Sequence, residues 1–181
     1  MIIDKNNLEV WMISLIGNHH ADAVRTVTIP KWRNQGFTIN LFNAIIPDEI
    51  QNISEQLKFG LKHRKFAPTI EFTETEKAVW YSHFCLWEKC LDVNKPFLIL
   101  EEDTKPKRLL PDKFEVSNLF RISAGGSGYI LLPTIVKKMI KNSTSRKITY
   151  NVDYYIERFK DKNSTHYAMQ VERGMRSISH N

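Results

Sequence analysis

Three consecutive carboxylates, Glu101, Glu102 and Asp103, directly follow a short apolar run over residues 97–100. An uninterrupted apolar run of this length is typical of a strand that is buried on both faces. Carboxylates at the end of such a strand are costly unless they face solvent, hydrogen-bond donors or a cation. Oxygen ligands suit Mn²⁺ or Mg²⁺, and these ions keep positions open for phosphate groups. A solvated acidic loop, paired with the basic residues that follow it, explains the triplet equally well.

The helix that precedes this strand has the clearest start signal in the chain. Residues 73–76, with the sequence TETE, form a capping box in which Thr73 and Glu76 satisfy each other's backbone amides. A buried stripe at helical spacing follows: Trp80, Phe84, Trp87 and Leu91. His83 is expected at the edge of this apolar face, where a hydrogen-bonded core histidine is more common than a catalyst.

Strands and helices alternate along the rest of the chain. Apolar runs predict strands over residues 9–16, 37–42 and 129–132, in addition to 97–100. A helix is expected over residues 21–28, ended by Pro30, and another over 135–140, begun by Pro133. Such alternation predicts an α/β fold with a mixed, mainly parallel sheet. No convincing linker divides the chain, so one domain over residues 1–181 is expected.

Composition agrees with a compact domain. The chain has 181 residues, of which 42% are hydrophobic and 25% charged, so it can bury a core. Its two cysteines, Cys85 and Cys90, are poorly spaced for pairing within one helix, which indicates a reducing compartment. No apolar run approaches a membrane span, and the first residues lack the features of a signal peptide. A cytoplasmic location is expected.

The positive charge is unevenly distributed. The net charge is +6, and residues 137–181 hold ten basic against four acidic side chains, which accounts for the whole excess. A second basic cluster, Lys58–Lys65, is flanked by Phe59 and Phe66. Both segments can attract a diphosphate, an anionic glycan or nucleic acid, although a solvated basic face without a partner gives the same charge pattern.

The order and spacing of several motifs resemble glycosyltransferase family 25. The resemblance is carried by Glu76 after the helix start, by Ser82-His83, and by the apolar strand that ends in Glu101-Glu102-Asp103. Downstream, residues 128–131 (GYIL) and 151–153 (NVD) are similar to a Tyr-Ile-Ile strand and a Pro-Val-Asp element of the family. The chain departs from the family at residues 13–17, where ISLIG replaces an Ile-Asn-Leu-x-Arg strand end, and at Glu102, where aspartate is usual.

The resemblance implies a GT-A (Rossmann-like) fold, a nucleotide-diphosphate sugar donor such as a UDP-sugar, a divalent Mn²⁺ or Mg²⁺ ion, and transfer with inversion. Inversion needs a general base near the acceptor hydroxyl. Asp153 is the first candidate, with a helix cap as its alternative role, and Glu102 is the second. Glu101 and Asp103 are the expected metal ligands. The expected donor-binding residues are Ser14, Arg25, His83, Gly126, Ser127, Arg173 and Arg176.

Two acceptors and one inactive alternative remain open. The acceptor is anionic, and is either a saccharide, as in lipopolysaccharide synthesis, or a hydroxymethylated base in DNA, as made by phage modification enzymes. A lipid-linked saccharide would place the enzyme peripherally at the inner membrane of a bacterial cell; a DNA acceptor would place it in the cytoplasm of a phage-infected cell. The alternative is a catalytically inactive module that binds nucleotide sugar or nucleic acid. A metal-dependent nuclease is a weaker hypothesis, because no second acidic pair with nuclease spacing occurs.

Overall fold

The structure, a computed structural model, describes residues 1–53, 56–64, 67–123, 126–165 and 167–170. The helices are α1 (His19–Arg33), α2 (Glu74–Val93), α3 (Pro133–Ser145) and α4 (Val152–Glu157). The strands are β1 (Ile2–Asp4), β2 (Glu9–Ser14), β3 (Ile39–Asn43), β4 (Lys62–Arg64), β5 (Ala67–Ile70), β6 (Phe97–Glu101), β7 (Thr104–Pro106), β8 (Lys113–Glu115), β9 (Leu119–Arg121), β10 (Gly128–Leu131) and β11 (Ala168–Gln170). No helix among the described residues has both the length and the apolar character that a membrane span requires.

A five-stranded mixed sheet in the order β3-β2-β6-β10-β9 forms the centre of the fold and confirms the α/β class. β2 runs parallel to β3 and β6, whereas β10 runs antiparallel to β6 and β9. The sheet therefore has as many antiparallel as parallel pairs, and the prediction that it is mainly parallel is wrong. The segment between β9 and β10 is too short for the crossover that parallel neighbours need, so these strands pair as a hairpin.

Helix α2 follows its sequence signals closely. The Thr73 hydroxyl accepts a hydrogen bond from the Glu76 amide at 3.2 Å, and the Glu76 carboxylate accepts one from the Thr73 amide at 3.0 Å. Trp80, Phe84 and Trp87 are buried as predicted, whereas Leu91 is only partly buried. The helix ends at Asn94, whose φ of 52° is the left-handed conformation common at helix C-termini.

Helix α1 is longer than the sequence predicts. Pro30 was expected to end it, yet the helix continues to Arg33 with the proline inside. The last turn is held by Trp32, which is fully buried and donates its indole N–H to the Thr104 carbonyl at 2.7 Å. This anchorage offsets the backbone hydrogen bond that Pro30 cannot make.

Helices α1 and α2 cover opposite faces of the sheet. The β2–β6 register pairs Ile13 with Glu101, so both project from one face, while Ser14 projects from the other. Ser14 contacts Arg25 of α1, and Glu101 lies beside His83 of α2. The carboxyl ends of β2 and β6 thus bring polar side chains from both layers to one edge of the sheet.

Candidate active site

The acidic triplet is divided between the two faces of the sheet. Glu102 turns toward α1, where its carboxylate accepts hydrogen bonds from the Ser14 hydroxyl and, at 3.3 Å, from the Leu15 amide. The guanidinium of Arg25 donates to Ser14, pairs with Asp22 and lies 4.0 Å from Glu102. Burial raises the pKa of Glu102, and its hydrogen bonds with Ser14 and Leu15 and the charge of Arg25 oppose that rise. The arrangement, here called the Ser14–Arg25–Glu102 clamp, joins the carboxyl ends of β2 and β6 to α1.

Glu101 turns toward α2 and meets the end of a buried polar chain. The Trp87 indole N–H donates to the Tyr129 hydroxyl at 3.0 Å, and that hydroxyl lies 2.8 Å from Nδ1 of His83. Burial raises the pKa of Tyr129 well above its usual range, so the hydroxyl keeps its proton. Because an indole N–H can only donate, the Tyr129 proton is left for Nδ1 of His83.

This pattern sets the tautomer of His83. With Nδ1 accepting, the neutral ring carries its proton on Nε2, which lies 3.5 Å from Oε1 of Glu101. Nε2 is buried and has no hydrogen-bond partner among the described residues. His83 is 1% exposed, so it lies inside the core and not at the edge of the apolar face. Its N–H is directed at the acidic strand end.

Asp153 lies in the first turn of α4, and the cap residue is Asn151, so the cap role that the sequence left open for Asp153 does not hold. Its Oδ1 accepts a hydrogen bond from the Gly126 amide at 2.8 Å, and the residue is exposed to solvent. Removal of water by neighbouring protein atoms raises the pKa of Asp153, and the charge of Glu101 raises it further, against the opposing effects of His83, the Gly126 amide and Arg121. Asp153 is therefore an exposed residue whose carboxylate is bound to the Gly126 amide and is subject to the charge of Glu101.

Asp103 is the remaining member of the triplet, and its carboxylate is partly buried close to two other acidic residues. Burial raises the pKa of Asp103 to about 7, and the charges of Glu101 and Glu102 add to that rise. Its Oδ1 is buried and has no hydrogen-bond partner in the described part of the chain. Among the described residues, no group of three or more histidine, cysteine or acidic side chains is arranged to hold a metal ion.

The other predicted donor-binding residues differ in their exposure. Gly126 is close to Asp153, since a Cβ added to it would lie 2.4 Å from Oδ1 of that residue. Ser127 is buried: its hydroxyl lies 2.7 Å from that of Ser123, and its carbonyl accepts from the Glu101 amide at 2.8 Å. Ser14 and Arg25 belong to the clamp described above. Arg173 and Arg176 lie outside the described residues.

The sequence offered no reason to assign two residues to this site. Tyr129 was part of a predicted strand, and only the structure shows that its hydroxyl joins Trp87 to His83. Arg121 is buried on β9, pairs with Glu157 and acts electrostatically on Asp153. Arg121 belongs to no recognisable motif, and it lies in a strand of only three residues.

Comparison with known proteins identifies the family of this chain. Residues 9–108 match the family model of glycosyltransferase family 25, described as an LPS biosynthesis protein, over more than half of the chain. The chain belongs to this family, as the sequence motifs predicted. The matched residues contain the Ser14–Arg25–Glu102 clamp, His83 and the acidic triplet, and the fold adds Gly126 and Asp153 from beyond the match.

One curated relative is similar over part of this region. The lipooligosaccharide biosynthesis protein lic2B of Haemophilus influenzae is 31% identical over 74 residues, which are 40% of this chain and 26% of that protein. The chain therefore spans about a quarter of the length of the relative that it matches.

Proposed function

We propose that this chain transfers a sugar from a nucleotide-diphosphate donor, such as a UDP-sugar, to a hydroxyl of a saccharide acceptor, with inversion. Family membership supports sugar transfer. The observation that carries the proposal is the position of Asp153, an exposed residue whose carboxylate is bound to the Gly126 amide at the carboxyl edge of the sheet and is subject to the charge of Glu101. Ligands of open α/β sheets bind at this edge.

Asp153 is the general base of the proposed reaction. It takes the proton of the acceptor hydroxyl as the oxygen attacks the sugar carbon, and the bond from that carbon to the diphosphate breaks on the opposite face. The Gly126 amide binds Oδ1, and no other hydrogen bond from a described residue occupies this carboxylate. A raised pKa makes Asp153 a stronger base than an ordinary aspartate. Glu102 suits this role less, because it is buried and bound by the clamp.

Glu101 and Asp103 are the residues that would hold Mn²⁺ or Mg²⁺. The buried Oδ1 of Asp103 has no hydrogen-bond partner among the described residues, and a cation would compensate the negative charge of Asp103 and its neighbouring carboxylates. Two protein carboxylates with phosphate oxygens and water are a common ligand set for Mg²⁺. When bound, the ion supplies positive charge that stabilises the departing diphosphate.

A saccharide acceptor is favoured over a modified base in DNA. The relative lic2B is named as a lipooligosaccharide biosynthesis protein, and the family model is described by LPS biosynthesis. No comparison favours the DNA acceptor, which stays in the test as a separate arm.

The test incubates the chain with Mn²⁺ and a panel of nucleotide sugars. Two acceptors are compared: a saccharide derived from lipooligosaccharide, and DNA that contains hydroxymethylcytosine. We expect transfer to the saccharide. Asp153→Asn should lower turnover by about 10²- to 10⁴-fold while donor affinity is unchanged. Asp112→Asn is the matched control, because Asp112 is exposed and pairs with Lys5 outside the site.

Each other result has a distinct meaning. Normal turnover in Asp153→Asn would exclude this residue as the base. Transfer to the DNA alone would replace the saccharide acceptor. Donor binding with no turnover in the unmodified chain would overturn the proposal in favour of an inactive binding module.

A further inference from the structure

Two basic segments that are far apart in the sequence form one surface. The Ile148 amide donates to the Lys58 carbonyl at 2.7 Å, and the Gly60 amide donates to the Ile148 carbonyl at 2.9 Å. A third backbone bond, of 2.8 Å, joins the His63 amide to the Thr149 carbonyl. Residues 58–63 of the first cluster are thereby fixed against residues 148–149 of the basic C-terminal portion.

Not every member of these segments is available to a ligand. Lys62 is buried, pairs with Glu76 and lies 5.4 Å from the centre of the Phe72 ring. Phe59 packs on Phe72 with ring centroids 5.1 Å apart, so it anchors the segment to the core. Lys58 and Lys147 are exposed and form no ion pair with another described residue.

An exposed tyrosine stands at the centre of the surface. The Tyr150 ring lies 5.7 Å from the His63 ring, and the Arg158 guanidinium lies 5.5 Å from the Tyr150 ring centre. The Tyr150 carbonyl accepts a hydrogen bond from the indole of buried Trp80 at 3.0 Å, which fixes its backbone. Tyr154 is 65% exposed on α4. We call these residues the Tyr150 surface: Lys58, His63, Lys147, Tyr150, Tyr154 and Arg158.

The Tyr150 surface borders the proposed base. Tyr154 directly follows Asp153 on α4, and Tyr150 comes three residues before Asp153. Both tyrosines therefore belong to the same short stretch of chain as the Asp153 carboxylate. Aromatic rings offer an apolar face to a sugar ring, and the surrounding cations offer charge-assisted contacts to an anionic substituent.

We propose that the Tyr150 surface binds the acceptor, and that the acceptor is a saccharide bearing a phosphate or carboxylate group close to the reacting sugar. The position of the reacting hydroxyl rests on the proposed function of Asp153. A single-stranded nucleic acid needs a basic groove that follows several nucleotides. Two tyrosines, with His63 and Arg158 beside Tyr150 and the cations Lys58 and Lys147 nearby on the same surface, match one or two charged sugar rings better.

The test is a calorimetric titration of the full chain with an oligosaccharide that carries one phosphate monoester, and with its dephosphorylated counterpart. We expect the phosphorylated probe to bind more tightly, with an affinity that falls as salt is raised. Tyr154→Ala and Arg158→Gln change exposed side chains and should each weaken binding about tenfold, in line with the loss of one stacking or charged contact. Lys31→Ala on α1, on the opposite face of the sheet, is the matched control and should bind as the unmodified chain does.

Several outcomes would overturn this assignment. Unchanged affinity in both surface variants would show that the acceptor binds elsewhere. Equal affinity for the two probes would show that the surface does not recognise an anionic group on the acceptor. Competition by a short single-stranded DNA at the concentration of the phosphorylated probe would assign the surface to nucleic acid. Binding is measured without turnover, so a chain that fails to transfer sugar can still confirm that the Tyr150 surface binds the acceptor. If the chain transfers sugar normally and the surface variants bind as well as the unmodified chain, only the assignment of the Tyr150 surface is contradicted.

Discussion

Nε2 of His83 lies 3.5 Å from Oε1 of Glu101, at the end of a chain of buried polar groups that begins at Trp87. The Tyr129 hydroxyl joins the two ends, since it accepts from the indole and donates to Nδ1 of His83. A buried N–H is thereby directed at the acidic edge of the sheet. The apolar helix face thus contributes to the electrostatics of the site as well as to the core.

The first prediction concerns this hydroxyl. Tyr129→Phe should lower the free energy of unfolding by about 1–3 kcal/mol, because it leaves buried groups of Trp87 and His83 without a partner. It should also lower turnover per folded molecule, because Nδ1 of His83 loses the group that fixes its tautomer. Urea unfolding and the transfer assay measure the two effects separately.

Tyr155→Phe is the control for the loss of a buried hydroxyl. The Tyr155 hydroxyl donates to the Met139 carbonyl at 2.5 Å, away from the acidic residues. We expect its removal to lower stability while turnover per folded molecule is kept. If the two variants lost the same fraction of turnover, the hydrogen bond to His83 would have no role in the reaction.

Much of the local structure could be predicted from short sequence patterns. The capping box at Thr73 and the buried tryptophans of α2 depend on residues a few positions apart. The apolar run before Glu101 likewise predicted a buried strand. These features follow from helix and strand periodicity, which one sequence displays directly.

The site itself depends on long-range register, which the sequence does not display. Glu101 and Glu102 were predicted as parts of one acidic cluster, yet the pairing of Ile13 with Glu101 places the two carboxylates on opposite faces. The contact between Gly126 and Asp153 crosses 27 residues and depends on how α4 packs against the end of β10. No local pattern encodes either relationship.

The second prediction concerns Gly126. An added Cβ would lie 2.4 Å from Oδ1 of Asp153 and 3.1 Å from Cδ1 of Ile156, so Gly126→Ala must displace the carboxylate. We expect turnover to fall about tenfold or more, since misplaced catalytic groups cost rate steeply. Donor affinity, measured by titration, should remain within a few fold of the original value if Gly126 acts through Asp153.

A double-mutant cycle separates this role from direct donor binding. Residues that act through one another give non-additive effects. Gly126→Ala combined with Asp153→Asn should be no slower than Asp153→Asn alone. Additive losses, together with weaker donor binding, would instead support the original prediction that Gly126 contacts the donor.

The third prediction concerns the Ser14–Arg25–Glu102 clamp. Arg25→Gln removes the guanidinium beside a buried carboxylate and should destabilise the chain by about 1–3 kcal/mol. Adding Glu102→Gln should recover part of that loss, because the buried charge is removed with its partner. Urea denaturation of the single and double variants provides the comparison.

The same variants test the second candidate for the general base. Glu102→Gln alone should retain most of the turnover per folded molecule if Glu102 only joins the strand ends to α1. A loss as large as that of Asp153→Asn would show that Glu102 takes part in proton transfer, despite its burial.

The fourth prediction concerns the pH dependence that Asp103 imposes. Burial raises the pKa of Asp103 from 3.8 to about 7, so the folded chain holds this proton more tightly than the unfolded chain does. In EDTA, the contribution of Asp103 to stability should therefore decline as pH rises from about 4 to about 7. Asp103→Asn cannot ionise and should be more stable than the unmodified chain at pH 8, by at most about 4 kcal/mol, but not at pH 4.

If Glu101 and Asp103 hold Mn²⁺, the ion should reverse the difference in stability between the unmodified chain and Asp103→Asn at pH 8. At pH 8 the metal should raise the unfolding temperature of the unmodified chain, because it binds the folded state and compensates the buried charge. Asp103→Asn should show little such rise, whereas the exposed control Asp112→Asn should respond as the unmodified chain does. An equal rise in all three proteins would place the metal away from Asp103. If Mn²⁺ raised the unfolding temperature of none of the three proteins, the proposal that Asp103 binds the ion would be wrong.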